Sequence, residues 1–253
     1  MKFETPIRRA MALLLASFLL SAFAGALTSD KKDKQKPAVN MAVDSGSFGI
    51  FIKGRRVATE TFTIGQQSGN SSIKSELKEA GGDSVSQKSD LEIGSTGDLL
   101  RYEWSQSSGG SLSVFPNNDF LKEVITTSSS TKPAEQAFLL PTSSPILDNN
   151  FFVHREVLAW KYLAIAPCKD DGGHRHCEPA DFGALVPQDR TSMPIRMALE
   201  GKEKVTIRGT ERELLRLSLH GEGFDWSLWV DENDHFKLIR VEIPADNTVV
   251  ERD

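Results

Sequence analysis

Residues 215–243 read LRLSLHGEGFDWSLWVDENDHFKLIRVEI, and their rhythm decides the fold. Leu215, Leu217 and Leu219 alternate with Arg216, Ser218 and His220. Phe224, Trp226, Leu228 and Val230 alternate with Asp225 and Ser227, and Ile239, Val241 and Ile243 with Arg240 and Glu242. Side chains on a strand point to opposite faces in turn, so each run has one apolar and one wet face. Gly221-Glu222-Gly223 and Asp231 to Asp234 supply the turns between them, and connections this short leave no room for crossover helices. The segment is a stretch of antiparallel sheet covered on one side only.

The same rhythm extends outward in both directions. Upstream, Ile195, Met197 and Leu199 form one alternating run and Val205 and Ile207 another, with Glu200-Gly201-Lys202 read as the turn between them. In the N-terminal half, Phe48 to Ile52 leads through Lys53-Gly54 into Arg55 to Ile64, a first hairpin. Further strands are expected at 73–78, 85–93, 99–104, 112–115 and 120–126. One segment departs from the period of two. After the candidate caps Asp148, Asn149 and Asn150, the run FFVHREVLAWKYL (151–163) carries Phe151, Arg155, Leu158 and Tyr162 at helical spacing. The reading is a mainly β, single-domain protein: a strongly curved antiparallel sheet or incomplete β-barrel packed on one α-helix at about 149–163.

The N-terminal segment reads as an export signal. Lys2, Arg8 and Arg9 precede the uncharged 15-residue run Ala10–Ala24, shorter than the ~20 residues of a membrane span and followed by small residues. Three regions follow: a signal peptide at 1–26, a flexible tether at 27–47, and the β domain at 48–253. No cysteine ends the apolar run, so a lipoprotein is not expected, and after cleavage no transmembrane anchor remains. The location is periplasmic or secreted. With 30 basic against 35 acidic side chains in 253 residues, the net charge of −5 disfavours a nucleic-acid partner.

In an oxidising compartment the two cysteines, Cys168 and Cys177, suit a disulfide across Gly172-Gly173; the alternative is a metal site from Cys168, His174, His176 and Cys177. His154 and Glu156, two apart on the helix, point in different directions and read as helix-surface or capping residues rather than a catalytic pair. The chain lacks G-x-S-x-G, H-E-x-x-H, a phosphate-cradling glycine loop and a dinucleotide fingerprint, so no enzyme and no cofactor are expected. Strands greasy on one face with one helix to cover them leave an apolar concavity. Its candidate lining, chosen by face and size, is Tyr102, Trp104, Phe152, Trp160, Leu217, Trp226 and Leu228.

Three stretches carry a resemblance: F-x-I-x-x-x-G-R-x-V-x-x-E (Phe48 to Glu60), L-D-N-N-F-F-x-H (Leu147 to His154) and L-W-V-D-x-x-x-x-x-x-x-I-R-V-E (Leu228 to Glu242). With the signal peptide, they resemble exported bacterial β-sheet proteins of unknown function, similar in outline to the periplasmic lipoprotein-carrier class. There a curled half-barrel holds acyl chains under a helical lid. The resemblance implies a non-enzymatic envelope protein that binds a lipid or other apolar molecule in the concave face. The alternatives are an envelope scaffold that binds a protein partner and no ligand and, behind it, a metal-dependent hydrolase centred on His174 and His176 with Cys168 and Cys177.

Overall fold

A computed structural model describes residues 41–253 apart from 131 and 173. The expected signal peptide at 1–26 and most of the expected tether at 27–47 lie outside the described residues. The N-terminal half supplies β1 (Met41–Ile52), β2 (Arg55–Gln67), β3 (Asn70–Glu79), β4 (Gln87–Ile93), β5 (Leu99–Gln106), β6 (Gly110–Asn117), β7 (Phe120–Thr127) and β8 (Ala134–Phe138). After α1 (Val153–Ile165) come β9 (Cys168–Asp171) and β10 (His174–Cys177), a separate two-stranded hairpin. The C-terminal half supplies β11 (Ala180–Val186), β12 (Thr191–Ile207), β13 (Thr210–Gly221), β14 (Phe224–Asp231), β15 (Lys237–Ile243) and β16 (Thr248–Arg252).

Fourteen of these strands make one antiparallel sheet in the order β11 to β16 followed by β1 to β8. Each half is a meander, and pairing of β16 with β1, Phe48 opposite Arg252 and Ile52 opposite Thr248, joins them in mid-sheet. Strand β1 begins at Met41, so 41–47, expected as tether, are already sheet, and Asp44 is buried in it. The opening turn at Lys53-Gly54 has positive φ at both residues, the geometry that keeps a two-residue hairpin in twist.

One expected turn is absent. Residues 200–202 do not end a strand; β12 runs through them with a register shift between Leu199 and Gly201, whose φ is +118°. A bulge inserts one residue and so reverses which face the following side chains take. Ile195 and Met197 are inside with Leu217 and Leu219. Beyond the bulge, Ile207 and Leu214 pack with Trp229 and Ile239 in a separate apolar cluster.

The sheet curls around α1. Bonds from the helix region reach β2 through Glu60, β12 through Leu199 and β15 through Leu238, strands far apart in the sheet order. Leu158, Ala159 and Tyr162 are fully buried on the sheet's inner face with Phe48, Phe62, Leu121, Leu217 and Leu228. The helix starts four residues later than expected and ends at Ile165. The curl does not close by strand pairing: β8 and β11 are its two ends. The chain entering α1 partly covers the β11 end, with Leu147 N–H donating to Leu185 O at 2.8 Å and Leu185 N–H to Pro145 O at 3.0 Å. No helix among the described residues is long and apolar enough to cross a membrane.

Candidate functional site

The start of α1 lies inside the curl, and its first-turn donors are met by a strand rather than by its own caps. The cap position is Phe152, which has no side-chain acceptor. Glu60 fills that role from β2: its carboxyl accepts the backbone N–H of Phe152 at 2.6 Å and of Val153 at 3.1 Å, and the Ser75 hydroxyl at 2.7 Å. A helix N-terminus presents unpaired N–H groups and a partial positive charge, so a carboxyl there is favourable. Burial nevertheless pushes Glu60 up to about 7, against the lowering effect of those hydrogen bonds and of Arg155.

Asp148 organises the approach to the helix. It accepts from the backbone N–H of Asn150 at 2.7 Å and Phe151 at 3.1 Å, from Gln188 Nε2 at 2.8 Å, and from the Tyr102 hydroxyl. Tyr102 is fully buried, and burial followed by the Asp148 charge raises its hydroxyl well above the ordinary value. Arg155 supplies the counter-charge. Its guanidinium donates to Phe151 O at 2.6 Å and lies 4.9 Å from both the Phe152 and the Trp226 ring centroids. Burial pulls it down to about 10, which leaves it charged at neutral pH.

The next turn forms a second polar group. Glu156 accepts from Leu238 N–H at 3.2 Å and from Arg252 Nη1 at 3.1 Å, and Arg252 also pairs with Asp44. Burial and then the neighbouring Asp44 push Glu156 up to about 9. Asp44 is also pushed up by burial, but the neighbouring Glu156 and the Arg252 guanidinium outweigh this and hold it below the ordinary carboxylate value.

His154 and Glu156 are thus not on the helix surface, as expected, but 2% and 0% exposed within the curl. They do point apart: Glu156 faces β15 and β16, while His154 Nε2 lies 3.3 Å from Ser89 Oγ on β4, with its ring edge-on to Tyr102 at 5.6 Å. Burial lowers His154 to about 4, so the imidazole is neutral. A fourth buried group stands apart. Glu123 on β7 is completely buried, burial pushes it up to about 7, and Arg190 is its nearest cation at 3.8 Å.

A crevice of about 280 Å³ opens on one flank of α1, against β4 and β5 and the segment before the helix. Its apolar lining includes Leu91, Ile93, Leu99, Ile146, Val157 and Leu158, and it extends past Trp160 to Ile165, which is exposed. Lys161 stands beside it, its ammonium donating to Gly97 O at 3.0 Å and to Ser143 O.

The seven residues chosen from sequence fall in three places. Tyr102, Phe152, Leu217 and Leu228 are buried in the packed core. Trp226 is half-buried under Arg155, and Trp104 is half-buried with its indole N–H on Gln87 Oε1 at 2.9 Å. Trp160 lines the crevice and donates to Phe236 O at 3.0 Å. Cys168 and Cys177 face each other across the β9–β10 hairpin and form a disulfide, which takes both sulfurs out of the metal alternative with His174 and His176. Among the described residues no three His, Cys, Asp or Glu side chains are grouped to hold a metal.

Glu60, Glu123, Arg155 and Arg252 are not among the site residues chosen from the sequence, although two of them left a signal. Glu60 interrupts the apolar phase Ala58, Phe62, Ile64, and Glu123 interrupts Leu121 and Ile125. A carboxyl in the buried phase of a strand needs a partner inside the fold.

No family model and no curated protein matches the chain. Among solved structures it is similar to the crystal structure of a β-barrel-like protein of a domain of unknown function, DUF1849, from Brucella abortus. The identity is 6%, the TM-score 0.46, and the match covers 83% of this chain and 94% of that one.

Proposed function

We propose that this protein is a non-enzymatic, exported envelope protein that takes a slender apolar ligand, a lipid chain or a molecule of similar shape, into the crevice beside α1. The observation that carries the reading is the crevice itself. Six aliphatic side chains line a slot of about 280 Å³, near the lower end of the size range of small-molecule sites, with exposed Ile165 at one end. The concave face chosen from sequence is largely filled by α1, so the room for a ligand lies on the helix flank. An uncharged run behind Arg8 and Arg9 and a disulfide hairpin support a location outside the cytoplasm.

The test is displacement of a fluorescent acyl probe. Wild-type protein is expected to bind the probe saturably. Val157→Trp, which fills the slot from a half-buried helix position, abolishes binding while the melting temperature stays within a few degrees. Binding that survives Val157→Trp overturns the assignment. The second reading, a protein-interaction module, draws on β8, a short and mostly exposed strand at one end of the sheet onto which a partner strand would add. A periplasmic partner lost on proline substitution in β8 would favour it.

A further inference from the structure

His154 and Ser144 line the crevice, and each carries a buried polar atom with no hydrogen-bond partner among the described residues, His154 Nδ1 and Ser144 Oγ. Their side chains are 2% and 6% exposed, and most buried polar groups in folded proteins are paired. We propose that the crevice is built for an amphiphile with one neutral hydrogen-bonding group, a carbonyl, ester or hydroxyl, which seats on Ser144 and His154 while its hydrocarbon part lies along α1 toward Ile165. The inference rests on the apolar-ligand reading and adds the polar end of the ligand.

The chemistry of the two groups selects a neutral head. His154 Nε2 and Ser89 Oγ share a contact at 3.3 Å; in the tautomer in which the Ser89 hydroxyl donates, the imidazole proton sits on Nδ1, which then offers an N–H, and in the other Nδ1 accepts from a ligand hydroxyl. Burial keeps this ring uncharged at neutral pH, so it offers a hydrogen bond without a counter-ion. The Ser144 hydroxyl adds a second donor that also accepts. An ionised head would need a cation free to meet it. Lys161, the lysine lining the crevice, has its ammonium already engaged by the Gly97 and Ser143 carbonyls. From His154 to Ile165 the helix advances about 16 Å, so a polar group held at His154 leaves a hydrocarbon tail running out to the exposed end of the slot.

The experiment compares nonane, nonan-2-one, methyl octanoate and octanoate as competitors for the fluorescent acyl probe on wild-type protein, Ser144→Ala and His154→Gln. Glutamine reaches the position of Nε2 and can keep the Ser89 contact while leaving the Nδ1 position empty. Ser144→Ala removes a hydroxyl that makes no bond in the fold and leaves the packing unchanged. The ketone and the ester are expected to bind about tenfold more tightly than nonane, as one or two neutral hydrogen bonds allow, and octanoate no more tightly than nonane. Each variant is expected to lower the ketone preference severalfold and leave nonane unchanged. Equal binding of nonane and ketone, a preference that both variants retain, or a preference for octanoate overturns the proposal while leaving the apolar slot in place. Failure of every competitor, nonane included, overturns the apolar-ligand reading as well.

Discussion

Removing the Glu60 carboxyl tests whether a strand caps the helix. In Glu60→Ala, the N–H groups of Phe152 and Val153 and the Ser75 hydroxyl lose their common acceptor in a buried site. An orphaned buried donor costs about 1–3 kcal/mol, and loss of a helix cap about 0.5–2, so the two backbone donors together suggest about 3–5 kcal/mol. The carboxyl also has a pH signature. It titrates at about 7 in the fold against 4.5 for an ordinary glutamate, so the folded state holds a proton that the unfolded chain has released. A folded value above the unfolded one gives stability that is complete below pH 4.5 and is lost as the pH rises through about 7. At about 1.4 kcal/mol per pH unit, the loss is roughly 3 kcal/mol for a fully buried group. Urea denaturation of wild type and Glu60→Ala, paired at each pH, cancels every other titration common to both. The expected deficit of the variant is about 3–5 kcal/mol at pH 5 and smaller at pH 8. A deficit below about 1 kcal/mol at pH 5, or one that grows with pH, refutes the capping argument.

Other perturbations follow from the same interior. Glu156, held at about 9, contributes stability that is lost as the pH rises from 4.5 through 9, so Glu156→Gln is expected to flatten the alkaline side of a melting-temperature profile. His154 has the opposite sign: its folded value of about 4 lies below the ordinary 6.5, so stability is present above pH 6.5 and lost as the pH falls toward 4, and His154→Gln should flatten the acid side in the same melts. Tyr102→Phe removes the hydroxyl on Asp148, but Gln188 stays bonded to that carboxylate at 2.8 Å; urea unfolding is expected to show a loss of about 1–2 kcal/mol. Cys168→Ser/Cys177→Ser opens a ten-residue loop and should cost about 2.5 kcal/mol by chain entropy, with non-reducing peptide mapping of the wild type confirming the pair.

The architecture was legible wherever alternation was regular. Leu215, Leu217 and Leu219 lie inside as their phase requires, and the segment read at helical spacing is the single α-helix among the described residues. Two things were hidden. A bulge at Gly201 keeps the local composition of a turn, and only the partner strand reveals that the chain runs on. The β1–β16 pairing joins residues about two hundred apart, a distance over which no local pattern carries information. The site was less legible for a physical reason. Arg155 and Glu156 look like the wet side of an amphipathic helix, but a helix enclosed by a curled sheet has no wet side at its inner end. Its charges are met by Glu60, Asp44, Arg252 and Asp148, drawn from distant parts of the chain.

The joint between β16 and β1 also sets an order of assembly. During synthesis the first strand emerges early, and its outer edge then waits for the final strand, Thr248–Arg252, before it has a neighbour. Until then the nascent polypeptide can build two separate ribbons but no continuous wall, and each ribbon shows a raw border to other chains. A product halted before Thr248 would keep both borders at the very centre of the finished molecule. Placing the decisive seam between β1 and Thr248–Arg252 delays completion of the wall until that late strand has emerged.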